Sequence, residues 1–310
     1  MGNIWKNFPV WFYVISFYFF QFYAKTRIPE NEYSSALFIF PLAFFVLYIM
    51  KEGKDRNDKY YPLINILIAL IIWGLIEKLV PPLPLTISEI KWIYEISNFI
   101  FWILLFIHAF KFYGKEGVIE FFIITLLYGF SLENSGIILN FFFEKNFHIY
   151  IPPLRAPLVT MIGWSAVFYT SYFMFEKIRK INFAPFKTLT GGAFTISLIA
   201  LFWDMSIDPV ASSPHIQFWQ WNHLLKNELQ FMGVPIINFV SWFYAVFFYA
   251  LFFLHYQKRK KSLRRYWILI LYAILAQFLA GAGVFLTMAL IEGFNGPSWK
   301  ILRESLKNLL

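Results

Sequence analysis

The chain has 310 residues, of which 59% are hydrophobic, 23% are aromatic and only 15% are charged. This composition excludes a soluble globular protein, which averages about 25% charged residues. The net charge of +9 would indicate nucleic acid binding in a soluble protein, but here the basic residues lie in short loops between apolar segments, where they set membrane topology. The chain contains no cysteine, which excludes disulfides, thiolate metal sites and iron–sulfur clusters.

Apolar segments recur along the whole chain, each near the length of about 20 residues that a helix needs to cross a bilayer. We therefore predict an all-α polytopic membrane protein with about nine transmembrane helices, eight being the alternative count. The predicted spans are residues 8–24, 33–50, 61–80, 92–112, 118–140, 156–176, 190–208, 232–256 and 266–291. The first of them is interpreted as a membrane anchor and not as a cleavable signal, because no small-residue cleavage site follows it.

The whole chain is predicted to form one transmembrane domain. Residues 118–256 are its core and carry the motifs discussed below, while residues 1–117 and 257–310 contribute peripheral helices. The tail after the last span places four apolar side chains on one stripe of a helix: Trp299, Leu302, Leu306 and Leu309. That stripe fits either a helix in the membrane interface or a helix packed against the bundle.

Lysine and arginine residues concentrate in alternate loops of this arrangement. The loops near 51–59, 177–187 and 258–265 carry most of them, and the loops on the opposite side carry fewer. The positive-inside rule therefore predicts a multi-pass protein of the cell membrane, with the N-terminus in the cytoplasm and the C-terminus outside.

Two acidic residues, Asp204 and Asp208, lie within the apolar segment ALFWDMSIDPVA at residues 200–211. An ionisable residue inside a membrane span is costly and is by default a candidate for a functional site. The two acids are four positions apart, so a helix places them on one face, and Pro209 predicts that the helix ends near Asp208. Burial, a neighbouring carboxyl and the negative end of the helix all disfavour the charged form, so the pair is expected to hold one proton.

Two stretches of the chain share a pattern that indicates an internal repeat. Residues 156–164 (APLVTMIGW) and 234–242 (VPIINFVSW) each contain a proline followed seven positions later by a tryptophan. Each stretch opens a predicted span and follows an acid near the end of the preceding span, Glu133 in the first copy and the aspartate pair in the second. This pattern predicts a parallel duplication of two-helix units, and functional sites often lie where such repeats meet. The alternative is coincidence, because prolines at helix starts and tryptophans in spans are both common.

The second copy carries a set of motifs found in a known family. In chain order these are Asp204, Asp208-Pro209, Trp219 and Trp221, Gly233-Val234-Pro235, Asn238-Phe239 and Trp242. The set resembles the integral membrane carotenoid biosynthesis proteins that include carotenoid and bisanhydrobacterioruberin hydratases.

The first copy matches the same family less closely. Its fitting residues are Glu133 and Gly136, the aromatic stretch at His148-Ile149-Tyr150, and Pro157-Leu158 through Trp164. Phe143-Glu144-Lys145-Asn146 stands where the family has a glycine-rich turn. The resemblance covers about residues 125–250.

The resemblance implies an enzyme, a hydro-lyase that adds water to the terminal double bond of an acyclic carotenoid without a redox cofactor or a metal. Such chemistry needs an acid that protonates carbon, a pocket that tolerates a tertiary cation, and a base for the water proton. We assign Asp204 or Asp208 as the proton donor, with the choice between them open, and Glu133 as the group that orients water or acts as base. The predicted substrate-binding residues are Asn134, Trp203, Trp219, Trp221, Asn238 and Trp242, and the tryptophan faces would favour a cation.

Structural roles and other functions are alternatives to this assignment. The same residues would also suit a helix end, an aromatic belt or hydrogen bonds between helices. A Mg²⁺-dependent membrane prenyltransferase would use acids to bind a diphosphate, and a transporter would combine repeats with intramembrane acids. His215 and His223 share a loop without a third ligand, which disfavours zinc, and His108 and His255 are interpreted as structural. The predicted partners are a hydrophobic carotenoid or polyprenyl substrate and the lipid bilayer, without nucleic acid.

Overall fold

The computed structural model describes residues 86–144, 147–179, 184–213, 217–258 and 263–309. The first three predicted spans lie outside these residues. The described part of the chain is mostly helical, as predicted.

Seven α-helices and four short strands make up most of the described residues. The helices are α1 Ile87–Val118, α2 Thr125–Ile138, α3 Leu158–Ile178, α4 Leu189–Ala211, α5 Ile236–Gln257, α6 Leu263–Glu292 and α7 Pro297–Leu309. A π-helical segment, Ile119–Ile124, joins α1 to α2, and 3-10 helices cover Ala184–Lys187 and His223–Asn227. The strands are β1 Phe142–Glu144, β2 Trp219–Trp221, β3 Gln230–Phe231 and β4 Val234–Pro235.

The first long helical segment folds back on itself at Gly114. The segment Lys91–Ile138 is 48 residues long and apolar enough to cross a membrane, but Gly114 has φ 69° and ψ −168°, a conformation that glycine adopts readily. The ring centroids of Trp102 and Phe122 lie 5.5 Å apart, whereas a straight helix would separate these positions by about 30 Å. The chain before and after Gly114 therefore forms an antiparallel hairpin, which contains the fourth and fifth predicted spans.

Four further segments are long and apolar enough to span a membrane. They are Leu158–Glu176, Leu189–Pro209, Ile236–Gln257 and Arg265–Glu292, and with the hairpin they make five candidate segments in the described part of the chain. Their positions agree with the sixth to ninth predicted spans. The membrane character is thus confirmed, while the total of nine spans stays a prediction.

Aromatic and hydroxyl side chains fill the middle of the helix bundle. The rings of Tyr128 on α2 and Tyr249 on α5 stack with their centroids 4.5 Å apart, and the Tyr249 hydroxyl shares a 2.9 Å hydrogen bond with the Thr125 hydroxyl. His108 is buried and lies 2.5 Å from the Tyr169 hydroxyl, which agrees with its structural interpretation. Hydrogen bonds of this kind between membrane helices stabilise a fold by about 0.6 kcal/mol on average, so they add to the packing without dominating it.

The two loops at one end of the bundle are built in corresponding ways. Helices α3 and α5 each begin directly after an extended proline, Pro157 with φ −65° and ψ 151° and Pro235 with φ −60° and ψ 140°. Each proline pairs with an extended residue upstream, Tyr150 in the first loop and Gln230 in the second. Strand β1 of the first loop pairs antiparallel with strand β2 of the second. These correspondences are what a duplication would produce, and the duplication itself stays a prediction.

The tail helix α7 packs one face against this end of the bundle. Ser298, Ile301 and Ser305 are buried, and the Ser305 hydroxyl donates a 2.7 Å hydrogen bond to the carbonyl of Leu139, just beyond α2. Leu306 and Leu309 of the predicted stripe are exposed in the described structure. One face of the tail therefore packs on the bundle, and the exposed leucines would suit the membrane interface.

Candidate active site

A cavity of about 730 Å³ lies at the end of the bundle where α2 and α4 end and α3 and α5 begin. This volume falls within the range of roughly 300–1,000 Å³ that is usual for small-molecule sites. All but one of the predicted site residues line it: Glu133, Trp203, Asp204, Asp208, Trp219, Trp221, Asn238 and Trp242. Residues from both matched stretches and both loops thus meet in one chamber.

The aspartate pair lies on one face of α4, as the four-residue spacing predicts. Asp204 and Asp208 are buried, with 2% and 5% of their surface exposed. Asn238, in the first turn of α5, donates from Nδ2 to Oδ2 of Asp204 at 2.9 Å and to Oδ2 of Asp208 at 2.6 Å. One amide nitrogen thus reaches both carboxyls, so the two acids lie close together, and two carboxyls so placed favour sharing one proton.

The end of α4 differs from the sequence expectation. The helix does not stop near Asp208 but continues through Pro209 to Ala211. The carbonyl of Asp208 accepts hydrogen bonds from the backbone N–H and the hydroxyl of Ser212 at 2.9 Å and 2.7 Å. These bonds hold the last turn, so the unfavourable effect of proline on the preceding residue is overcome.

Glu133 on α2 completes the cavity wall together with two stacked tryptophans. Its Oε1 accepts a 2.5 Å hydrogen bond from Nε1 of Trp164, and its carboxyl interacts electrostatically with both Asp204 and Asp208. Trp164 stacks on Trp242 with ring centroids 3.9 Å apart and planes 8° apart. These two tryptophans occupy the same position in the two matched stretches, so the stretches contact each other face to face at the chamber.

Asn134 is the predicted site residue that falls outside the cavity lining. Its Oδ1 accepts hydrogen bonds from the backbone N–H groups of Arg155 and Ala156 at 2.8 Å and 3.2 Å. Its Nδ2 donates to the carbonyl of Phe130 at 2.9 Å. Asn134 therefore anchors the loop that leads into α3 through these backbone hydrogen bonds, and its Nδ2 also lies 4.0 Å from Sδ of Met161.

The sequence assignment did not include Glu144, which lines the same cavity. This residue ends β1, is 9% exposed, and accepts a 3.2 Å hydrogen bond at Oε2 from the Thr160 hydroxyl. Burial raises the pKa of the Glu144 carboxyl well above its ordinary value, and the neighbouring Glu133 carboxyl raises it further. The one signal in the sequence was that Glu144 stands where the family has its glycine-rich turn.

The carboxyl groups of the chamber face neutral hydrogen-bond donors. In the described part of the chain, the cavity lining includes neither lysine nor arginine, and no group of three or more His, Asp or Glu side chains is arranged to hold a metal ion. The donors that reach the carboxyls are Asn238, Thr160 and Trp164. Carboxylates crowded together without cations repel one another, so this arrangement favours protons shared between carboxyls.

The cavity extends along α6, and we call this part the α6 branch. Its lining includes the apolar residues Ile274, Phe278 and Gly281, and also Gln277, whose Oε1 accepts a 2.6 Å hydrogen bond from the Ser131 hydroxyl of α2. Ile274 and Phe278 are 50% and 73% exposed in the described structure. A side chain built on Gly281 would meet no heavy atom within 4 Å of its Cβ, so the branch is open there.

The model of a family described as carotenoid biosynthesis protein matches residues 93–296, a range that contains every cavity residue named above. No curated protein and no solved structure shows a significant match to the chain.

Proposed function

Because the chain belongs to the family of carotenoid biosynthesis proteins, we propose that it is a membrane-embedded hydratase acting on the terminal double bond of an acyclic carotenoid or a related polyprenyl lipid. The observation that supports this function best is the group of carboxyls that, among the described residues, faces neutral hydrogen-bond donors in a mostly apolar chamber. An alkene carbon is a very weak base, so it needs a donor that is kept in its protonated form. The apolar wall suits a hydrocarbon end group.

The Asp204–Asp208 pair supplies the proton in this mechanism. The two buried carboxyls hold one proton between them in our proposal, and Asn238 holds both groups in place. Oδ1 of Asp204 is buried and has no hydrogen-bond partner among the described residues. A proton on that oxygen has no competing acceptor, so we assign Asp204 as the donor to the substrate carbon and Asp208 as its ionisable partner.

Protonation of the terminal alkene leaves a tertiary cation on the neighbouring carbon. The pair carries one negative charge while it holds its proton; after donation both carboxyls are ionised, and their charge stabilises this cation through space. The indole faces of Trp203 and Trp242 in the cavity wall add a cation–π attraction of about 2 kcal/mol when the site excludes water. The positive charge of the substrate therefore develops where the chamber offers a carboxylate and aromatic faces.

Water completes the reaction by forming a bond to the tertiary carbon and giving up one proton. Glu133 is the acceptor of that proton in our proposal. The indole N–H groups of Trp219 and Trp221 are buried in the lining and lack hydrogen-bond partners among the described residues, so they are available to hold the water or the product hydroxyl. The net change is the addition of one water. Return of the proton from Glu133 to the aspartate pair, with which the Glu133 carboxyl interacts electrostatically, restores the starting state.

The rest of the substrate extends along the α6 branch, past Ile274 and Phe278. A carotenoid is far longer than one end group, so its polyene must leave the chamber through an apolar opening. The described lining, which has carboxyl groups but neither lysine nor arginine, also favours a neutral hydrocarbon over a prenyl diphosphate, which requires cations to bind its phosphates. The hydratase is therefore favoured over the prenyltransferase.

The test is conversion of an acyclic carotenoid by the purified full-length protein in nanodiscs. Wild-type protein should yield a product heavier by one water, with the oxygen derived from labelled solvent water. Asp204→Asn and Asp208→Asn should each lower the rate roughly 100- to 10,000-fold, which is the range of general acid catalysis. Full activity in both variants, or a wild-type protein that converts nothing, would contradict the proposal.

A further inference from the structure

We propose that Glu144 and Glu133 form a second carboxyl pair, which binds the attacking water and accepts its proton, so that Glu144 is a further catalytic residue. This inference rests on the proposed hydration and extends it to two pairs of carboxyls in one chamber. It assigns a role to a residue that stands where the family's usual turn is missing.

Corresponding residues support the two carboxyl groups from the two halves of the site. Thr160 follows Pro157 by three positions, and Asn238 follows Pro235 by three positions. Thr160 donates to Glu144 at 3.2 Å, and Asn238 donates to the aspartate pair. Each helix that begins at the chamber thus offers, from its first turn, one neutral donor to a buried carboxyl.

Glu144 also lacks the contacts of a purely structural buried acid. Glu95, which is fully buried beside the same loop, accepts hydrogen bonds from the backbone N–H groups of His148 and Ile149 and lies 2.6 Å from Nδ1 of His148. Glu144 receives the Thr160 hydroxyl and otherwise faces the cavity. Burying a carboxyl without a cation is costly, and a catalytic role accounts for that cost.

The position of Glu144 also closes the proton cycle. It lines the same cavity as Glu133 and Asp208 and interacts electrostatically with both, so a proton can pass from the glutamate pair to the aspartate pair across the chamber. The aspartate pair gives a proton to carbon, water bonds to the cation, and the water proton passes to the glutamate pair. Transfer of that proton back to Asp208 restores the starting state without any external reactant.

The experiment compares hydration with deuterium exchange for Glu144→Gln in the full-length protein. Hydration should fall roughly 100-fold or more, as expected for loss of a general base. In D₂O the recovered carotenoid should still gain deuterium at its end group, because the aspartate pair can protonate the alkene and remove a proton again. Glu144→Asp should recover part of the hydration rate. Glu228→Gln is the matched control, because Glu228 is buried, accepts a hydrogen bond from the Ile237 N–H, and lies outside the cavity lining.

The outcomes separate this inference from the proposed function. Wild-type hydration and an unchanged pH profile in Glu144→Gln would overturn the inference, as would an equal loss in Glu228→Gln. Absence of both hydration and exchange in the wild type would instead overturn the proposed function. If Glu144→Gln does not fold, Thr160→Val removes the donor to Glu144; a shifted pH profile supports the inference, and an unchanged one overturns it.

Discussion

Asn238 gives the most direct test of the aspartate pair, because it contacts both carboxyls and carries no proton in the reaction. Asn238→Leu keeps a similar volume but removes the donor that lies 2.9 Å from Asp204 and 2.6 Å from Asp208. Since the pair shares one proton, only one of the two hydrogen bonds reaches a charged carboxylate at a time. A hydrogen bond to a charged group contributes about 1.5–3 kcal/mol, and 1.36 kcal/mol is a tenfold change in rate. The turnover number should therefore fall roughly 10- to 150-fold.

The assay for Asn238→Leu is the initial rate of carotenoid hydration in nanodiscs, with KM recorded separately. The control is Tyr244→Phe, which removes a hydrogen bond to Thr287 from the same helix outside the cavity lining and should leave the rate unchanged. If Asn238→Leu elutes and melts like the wild type and hydrates at the wild-type rate, the pair does not depend on its donor and the reasoning is refuted.

Three further changes probe other parts of the molecule. Gly281→Trp fills open space in the α6 branch and should raise KM more for a long carotenoid than for a short acyclic isoprenoid. The control is Leu286→Trp, on the same helix outside the lining, which should raise the KM of neither substrate. Equal increases in KM for the two substrates in Gly281→Trp would contradict the proposed path. Trp164→Phe removes the hydrogen bond to Glu133 and should lower the turnover number about tenfold; an unchanged rate would argue against Glu133. Burial, with a smaller contribution from nearby acidic charge, raises the pKa of Glu228 from 4.5 to about 8, so its contribution to stability is complete below pH 4.5 and is lost as the pH rises through about 8. As the pH rises from 5 to 9, the thermal midpoint of unfolding should therefore decrease more steeply for the wild type than for Glu228→Gln. Parallel curves of thermal midpoint against pH for the two proteins would exclude a contribution from Glu228.

The helices were predictable because their signal is local. An apolar run of sufficient length identifies a membrane span whatever its neighbours are, and the predicted spans at 92–112 and 118–140 appear as the two arms of the hairpin at Gly114. The shared face of Asp204 and Asp208 followed from helical spacing alone. These features need no knowledge of tertiary contacts.

The parts of the site that escaped prediction depend on contacts between distant residues. Glu144 reaches the chamber because β1 pairs with β2, which places it opposite Trp219, and no local pattern reports that pairing. Glu133 and Asn134 are neighbours in sequence but point about 100° apart around a helix, so the first faces the cavity and the second faces a loop. Both neighbours were predicted to be site residues, but the helix directs only Glu133 into the cavity.

The pairing of β1 with β2 has a consequence for the biogenesis of this membrane protein. The chain is synthesised from its N-terminus, so Glu133 and Glu144 enter the membrane region before the aspartates, and Asn238 follows last. The chamber is complete only when the second loop has paired with the first, α5 has brought its donor to the aspartates, and α6 has added its side of the lining. A chain whose synthesis stops before α5 therefore contains the acidic residues without the Asn238 donor. Enzymatic activity would then indicate that membrane insertion is complete.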